Sequence, residues 1–310
     1  MDYCSYFIKD KALFGSYPTL ERAKELIDNG VSVFIDLTTE SEKTTLDNYY
    51  NNINDITYIN YEIIDRRIPL NIQEFTIFII KIMNIIKTHD QKIYIHCKGG
   101  HGRAGIVVSC LLCFLYNVTP QQSLEMTTKF HGTRKMMRAK WRTIGSPQTP
   151  KQKIFVINFC KPLYFFKAYK NGNTIGLSTF SRHEIEIPNL GKFPTCTSAY
   201  YAYKNQKDLN YIEKLKSAET PQAARLIGIK YSNPPNWDKN KYDLMKNLTY
   251  LKLNQHPEIL KNLITSTGLR PIIFTNKSDS FWGIGEDNKG QNKLGEIWNN
   301  IRYQEYTKLL

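Results

Sequence analysis

The sequence has no apolar run long enough to span a bilayer. The longest, Ile106 to Val118, is broken by Ser109 and Asn117 and falls short of the roughly 20 residues a transmembrane helix needs. A buried helix is the expected use of that run, and no membrane partner is expected. The first eleven residues carry Asp2 and Asp10 and lack an apolar core followed by a cleavage site, so no secretory signal is read there. Cysteine is sparse and irregular: the six, at positions 4, 97, 110, 113, 160 and 196, form no disulfide framework and suit a reducing, cytoplasmic setting. Internal repeats and low-complexity tracts are absent too. With 41% hydrophobic and 23% charged residues, the composition excludes a disordered or fibrous chain.

Acidic residues are missing over one long stretch. Between Glu125 and Glu184 there is none, while Lys129, Arg134, Lys135, Arg138, Lys140, Arg142, Lys151, Lys153, Lys161, Lys167, Lys170 and Arg182 accumulate, and the formal charge of the chain is +14. Two readings stay open: a solvated surface with a linker, or a docking face for an acidic or phosphorylated partner. Such charge also suits nucleic acid, but no nucleic-acid-binding motif accompanies it.

A length of 310 residues favours two domains, each able to bury its own core. Leu20 to Asn29 reads as a helix closed by Gly30, Val31 to Leu37 as a buried strand, Tyr58 to Ile64 as an alternating strand, Phe75 to Lys87 as a buried helix and Lys92 to Ile95 as a further strand. Strands alternating with helices predict an α/β layer with a central, largely parallel sheet flanked by helices. After Cys160, turn chemistry at Pro162, Gly172 and Gly176 predicts a boundary, giving domains 1–161 and 162–310. The second half reads as mostly helical α+β, with helices over Ala199 to Lys216, Pro221 to Gly228, Lys241 to Asn254 and Pro257 to Thr267, and an extended piece at Pro271 to Thr275.

The chemistry concentrates in IYIHCKGGHGRAG, where Cys97 ends a strand, a glycine-rich turn follows, and Arg103 opens a helix. Glycines let successive backbone N–H groups turn inward, and the helix N-terminus adds its positive end, so Lys98, Gly99, Gly100, His101, Gly102 and Arg103 form a candidate anion cradle. The planar Arg103 fork can hold two phosphate oxygens. The thiolate is the nucleophilic form of a cysteine, and this positive field favours it at Cys97. Cys110 and Cys113, one helical turn apart behind the loop, read as buried small apolar residues rather than as a redox or metal pair.

HCKGGHGRAG resembles the H-C-x-x-G-x-x-R signature of the protein tyrosine phosphatase superfamily, and the surroundings, LFGSYP, FIDLTTESE and SPQTPKQKIFV, are similar to its dual-specificity branch over most of residues 7 to 156. The resemblance implies hydrolysis of phosphate monoesters, on phosphotyrosine, phosphoserine or phosphothreonine of a protein, through a phosphocysteine on Cys97 and with no metal or other cofactor. It further implies that Arg103 binds the transferring group and that an aspartate on an upstream loop, here Asp65, is general acid and then base. Asp65 can instead simply pair with Arg66 or Arg67. His96 is expected to orient the loop, and His101 either faces substrate or is a solvated loop residue. Ala104 stands where the family usually has Ser or Thr, whose hydroxyl stabilises the departing thiolate. A slow second step is expected from that loss.

The second half resembles the NADAR family, linked to NAD and ADP-ribose, whose characterised members cleave N-glycosidic bonds. The similarity rests on GLSTFS, FPT with YYAYK, AETPQAARLIG, NWDKNKYDLM, LNQHPEIL, DSFWGIG and GQNKLG. It implies an ADP-ribose-like ligand. N-glycoside cleavage passes through a ribose cation, which Asp279 can stabilise, while Lys204 can form a Schiff base with an opened sugar or merely be a surface charge. Trp237 and Trp282, with Gly283 beside the latter, either meet a base ring or pack in the core. Cys196, Thr197 and Ser198 replace part of the family's T-S-E-H pattern, Thr179 replaces an asparagine, and Pro234 stands where an arginine is usual. Binding or altered specificity is therefore expected ahead of retained glycosidase activity. Alternatives are a phosphatase acting on a sugar phosphate, an ADP-ribose derivative or an RNA 5′ phosphate, or a phosphatase carrying a non-catalytic recognition module.

Overall fold

The computed structural model describes residues 1–88, 90–166, 174 and 176–310. Its chain divides into two compact units, one of Met1–Lys161, Gly268–Arg270 and Tyr306–Leu310, the other of Pro162–Thr267 and Pro271–Glu305. No helix among the described residues is long and apolar enough to cross a membrane. Lys167, Lys170 and Gly172 lie outside the described residues.

The first unit runs β1 (Cys4–Ile8), β2 (Ala12–Ser16), α1 (Leu20–Asp28), β3 (Val31–Asp36), α2 (Glu40–Lys43), β4 (Thr57–Asn60), α3 (Ile72–Thr88), β5 (Lys92–Cys97), α4 (Arg103–Tyr116), α5 (Pro120–Gly132), α6 (Ala139–Ile144) and α7 (Pro150–Cys160). The sheet order is β1-β2-β5-β3-β4. β5 lies between β2 and β3, parallel to both, and its Ile93 to Cys97 are all buried, as a strand covered on both faces requires. Only β1 is antiparallel, in a hairpin turned by Asp10 at φ 57. α4 is buried from Arg103 to Cys113, so the helix that follows the glycine-rich loop runs through the core. The helices α5 and α7 start alike: Thr119 and Thr149 cap them, Pro120 and Pro150 fill the first turn, and Gln122 and Gln152 complete reciprocal capping boxes.

The second unit runs β6 (Leu163–Phe165), β7 (Ile185–Ile187), β8 (Gly191–Phe193), α8 (Cys196–Ala202), α9 (Leu209–Lys216), α10 (Pro221–Lys230), α11 (Trp237–Gln255), α12 (Pro257–Thr267), β9 (Ile272–Phe274) and α13 (Lys293–Thr307). Helices dominate, and the strands form two short pairs, β6 with β9 and β7 with β8. The single helix expected over Ala199 to Lys216 is two. The chain breaks at Tyr203, and Asp208 restarts it by accepting the Tyr211 N–H at 2.9 Å, because a carboxylate N-cap satisfies a free donor. The strand expected to reach Ile64 stops at Asn60, where a loop carries Asp65 away from the sheet.

Candidate active site

Cys97 ends β5, level with Ser16 of β2, and is only 3% exposed. The turn behind it is set by close approach. Gly100 has φ +71, and a Cβ there would stand 2.2 Å from the Gly15 carbonyl carbon; only glycine fits. At Gly102, the N-cap of α4, a Cβ would meet the Gln152 amide at 2.9 Å. Gln152 is buried, and its Nε2 donates to the Arg67 carbonyl at 3.1 Å. One side chain from α7 therefore touches both the phosphate loop and the segment that bears Asp65.

Arg103 is 1% exposed and gripped by a residue that sequence reasoning did not single out. Its Nη1 donates to Glu42 Oε2 at 2.5 Å and its Nη2 to Oε1 at 2.9 Å, while Nη1 also reaches the Ile63 carbonyl at 3.0 Å. Burial raises the Glu42 carboxyl, but the Arg103 fork and the Thr39 N–H outweigh it and hold the group below the usual carboxylate range. The fork expected to be free for phosphate is thus partly spent on α2. Nε–H has no partner among the described residues, and Nη2 lies 3.2 Å from Asp65 Oδ1. Nε and Nη2 form one edge of the guanidinium, and that edge is what remains for an anion. Asp65 is 60% exposed, with Arg66 farther off at 3.9 Å, so its carboxylate leans on Arg103 more closely than on its neighbour.

His96 is fully buried, shares a 2.7 Å hydrogen bond between Nε2 and the Tyr49 hydroxyl, and has Nδ1 3.6 Å from Asp36 Oδ1. Burial lowers its imidazole to about 4 against the opposing pull of Asp36, so it anchors the strand end as a neutral ring. His101 is neither solvated nor loose. Its Nδ1 meets His131 Nε2 at 2.8 Å, its ring stacks on Trp141 at 4.5 Å, and its carbonyl accepts from Ser146 Oγ at 2.6 Å. Burial lowers His101 to about 4 and His131 to about 3.

The basic stretch is not a uniform surface. Arg134 is 2% exposed, lies over the Phe14 ring at 4.3 Å, and donates to the carbonyls of Gly100 at 2.8 Å and Phe14 at 3.0 Å. A cation expected at a linker or docking face instead props the phosphate loop against β2. Cys110 and Cys113 are buried beside Cys160, with burial raising the Cys110 and Cys160 thiols.

In the second unit two cavities share a wall. One, of about 380 Å³, is lined by Thr179, Thr197, Tyr200, Arg225, Asp279 and Trp282 among others. The other, of about 280 Å³, shares Tyr200, Asp279 and Trp282 and adds Lys204 and Trp237. Asp279 Oδ1 accepts the N–H groups of Phe281 and Trp282 at 3.0 and 2.8 Å. Lys204 is no surface charge: it is 8% exposed and donates to the carbonyls of Gly228 and Tyr231 at 2.8 and 2.9 Å, with burial lowering its ammonium. Gly283 lines neither cavity; a Cβ there would stand 2.6 Å from the Asn276 carbonyl oxygen, so its role is close packing. Of the residues replacing the family pattern, Thr197 and Thr179 face the larger cavity and bond to each other at 3.1 Å. Ser198 turns back to cap α8 with Thr195, and Cys196 is buried in the core.

A largely parallel sheet whose central strand delivers a cysteine to a glycine loop and a buried arginine defines a cysteine-dependent phosphatase of the dual-specificity type. The chain belongs to that family and carries a NADAR domain behind it: residues 1–156 match the model of the Swiss Army Knife protein DSP-PTPase phosphatase domain, and residues 164–304 match the NADAR domain model. It is 31% identical over 318 residues to putative tyrosine phosphatase 197R of Invertebrate iridescent virus 6, covering 99% of this chain and 96% of the relative. Putative tyrosine phosphatase 067L of Invertebrate iridescent virus 3 is 35% identical over 177 residues, 56% of this chain and 72% of the relative. N-glycosidase YbiA of Escherichia coli is 28% identical over 129 residues, 41% of this chain and 79% of the relative.

Proposed function

We propose that the first domain, residues 1–161, hydrolyses phosphate monoesters on phosphoprotein in the cytoplasm through a phosphocysteine. The observation that carries this is the buried Arg103 Nε–H, unpaired among the described residues, on the same guanidinium edge whose Nη2 meets Asp65. Cys97 Sγ attacks phosphorus as the bond to the leaving oxygen breaks, and Asp65 gives that oxygen its proton. Asp65 then takes a proton from water as the water oxygen attacks phosphorus and Sγ leaves as thiolate. The donors facing the phosphoryl oxygens are the Lys98 to Gly102 backbone and Arg103.

The test is rapid-quench kinetics with phosphocysteine read by mass spectrometry on the peptide holding Cys97. Phosphate release with no such adduct at any time would overturn the mechanism. Ala104 is buried in the first turn of α4, and one missing hydroxyl donor to the departing thiolate costs on the order of 1–3 kcal/mol, roughly tenfold to a hundredfold in that step. Ala104→Ser should raise the steady rate by up to that factor and leave the initial burst nearly unchanged. An unaltered steady rate would remove Ala104 as the cause of slow release.

For the second domain, residues 162–310, we propose recognition of an ADP-ribose-like group in the larger cavity. Among the described residues, Asp279 supplies its only carboxylate, Arg225 its cation, and Tyr200 and Trp282 its aromatic walls. Lys204 is committed to two carbonyls, which argues against a Schiff base and for a supporting role. ADP-ribosylated guanine offered to the wild type decides between outcomes: saturable binding without base release makes the domain a reader, whereas base release lost in Asp279→Asn makes the chain bifunctional.

A further inference from the structure

Glu42, which grips the Arg103 guanidinium, sits in α2, a single turn of four residues that is too short to hold its shape as an isolated helix. The bonds Glu42 accepts from the Thr39 N–H at 3.1 Å and the Thr39 hydroxyl at 3.2 Å stay within that turn. They shape α2 but do not place it. The residue that ties the turn to the sheet is the next one. Lys43 is 6% exposed, and its Nζ donates to Asn60 Oδ1 on β4 at 3.0 Å and to Glu40 Oε1 at 2.6 Å while lying 5.7 Å over the Tyr58 ring. Asn60 is fixed in turn, because its Nδ2 donates to the carbonyls of Asp36 at 3.0 Å and Thr38 at 3.1 Å. One amide thus joins β4, the end of β3 and, through Lys43, α2.

The Glu40 carboxylate is 76% exposed, so the ion pair with it adds little, and the bond to Asn60 carries the anchoring. A further tie of α2, from the Glu40 N–H to Glu62 Oε1 at 3.3 Å, is also exposed. Residues 42 and 43 adjoin on one helical turn, so their side chains point about 100° apart, one toward Arg103 and the other toward β4. We propose that Lys43 is a positioning residue for the phosphate site: by fixing α2 to β4 it sets the Glu42 carboxylate, and through it the direction in which the Nε and Nη2 edge of Arg103 points. This rests on the reading that Arg103 binds the phosphoryl group. Without Lys43, Asn60 Oδ1 loses its donor and α2 is released from β4. Glu42 then keeps its pair with Arg103 only by letting the guanidinium turn, and a planar fork that turns loses its two-point grip on phosphate.

The experiment uses the full chain, with p-nitrophenyl phosphate as substrate and inorganic phosphate as competitive inhibitor. In Lys43→Met, KM and the inhibition constant of phosphate should both rise roughly three- to tenfold, the worth of about one hydrogen bond of alignment. A lysine needed only for folding would lower the active fraction, and kcat per total enzyme with it, while leaving both constants unchanged; that result overturns the proposal. Glu42→Gln should weaken phosphate binding by a comparable factor or more. Adding Lys43→Met to Glu42→Gln should then cost less than about twofold, because the two residues act along one chain of contacts. Effects that multiply in the double variant overturn the proposal as well, since Lys43 would be acting independently of Glu42. Should Lys43→Met not fold, Asn60→Leu removes the same bond from the β4 side and is read by the same constants, where no change is again the overturning result. Failure of the phosphatase reading itself looks different: the wild type neither hydrolyses the aryl phosphate nor binds inorganic phosphate.

Discussion

Replacing the nucleophile, Cys97→Ser, should lower phosphate release on the order of 10⁴-fold or more while leaving a phosphopeptide bound. A hydroxyl in place of the thiolate removes the covalent step, and loss of a nucleophile typically costs several orders of magnitude. Nothing else in the site changes with it. The Arg103–Glu42 hydrogen bonds and the Arg134 prop under Gly100 are made without the thiol, and oxygen is the smaller atom in a site only 3% exposed. The anion cradle should therefore persist, and the variant should act as a trap, with a dissociation constant for phosphopeptide within a few-fold of the wild-type KM. Phosphate release and peptide binding measured on the same preparation decide the matter. Residual turnover within tenfold of wild type would sink the assignment of Cys97, and loss of binding together with turnover would point to a collapsed loop instead.

What the sequence could and could not disclose follows from distance along the chain. The loop from Cys97 to Arg103 is contiguous, so cysteine, glycines and arginine stand together in the text as they do in space, and β5 followed by α4 is legible from one apolar strand and one apolar helix. Asp65 was reachable because the resemblance points to an upstream loop. Glu42, Arg134, His131 and Gln152 were not. Each comes from an element remote in sequence, and each carries a local role that hides the distant one. Glu42 completes a capping box with Thr39, Gln152 completes another with Thr149, and Arg134 lies in a basic stretch that invites a surface reading. The helices α5 and α7 did announce themselves, through the Thr-Pro-x-Gln pattern at Thr119 and Thr149, a signal that capping chemistry makes readable.

The second unit separates fold from chemistry in the same way. Family motifs from Gly176 to Gly295 were visible, but which of the substituted positions face a ligand depends on side-chain direction within α8. Thr197 points to the larger cavity, and its neighbours Cys196 and Ser198 do not. Thr197, within the replaced T-S-E-H pattern, and Thr179, in place of an asparagine, thus give the cavity wall a pair of hydroxyls 3.1 Å apart. Hydroxyl groups bind but do not carry a formal charge opposite a ribose cation, so among the described lining residues Asp279 alone offers a negative charge.

Asp65→Asn should separate acid catalysis from phosphate binding, weakening the first and strengthening the second. A positioned general acid contributes roughly 10²- to 10⁴-fold when the leaving oxygen needs a proton. For phosphoserine or phosphotyrosine peptides, kcat should fall by about that range. For p-nitrophenyl phosphate, whose leaving phenolate is far less basic, the fall should be much smaller. KM should fall as well, because binding tightens. The Asp65 carboxylate lies 3.2 Å from Arg103 Nη2, on the edge that an incoming phosphate needs, and its negative charge opposes a dianion. The neutral amide weakens that competition, so KM should drop several-fold for every substrate, whatever its leaving group. Steady-state kinetics on the two substrate types provide the reading. Equal loss of kcat on both would mean that Asp65 acts by shaping the site, and an unchanged KM would mean that its contact with Arg103 does not contend with phosphate. The contact and the chemistry bear on the same arginine edge, and this one substitution weakens catalysis while it tightens phosphate binding.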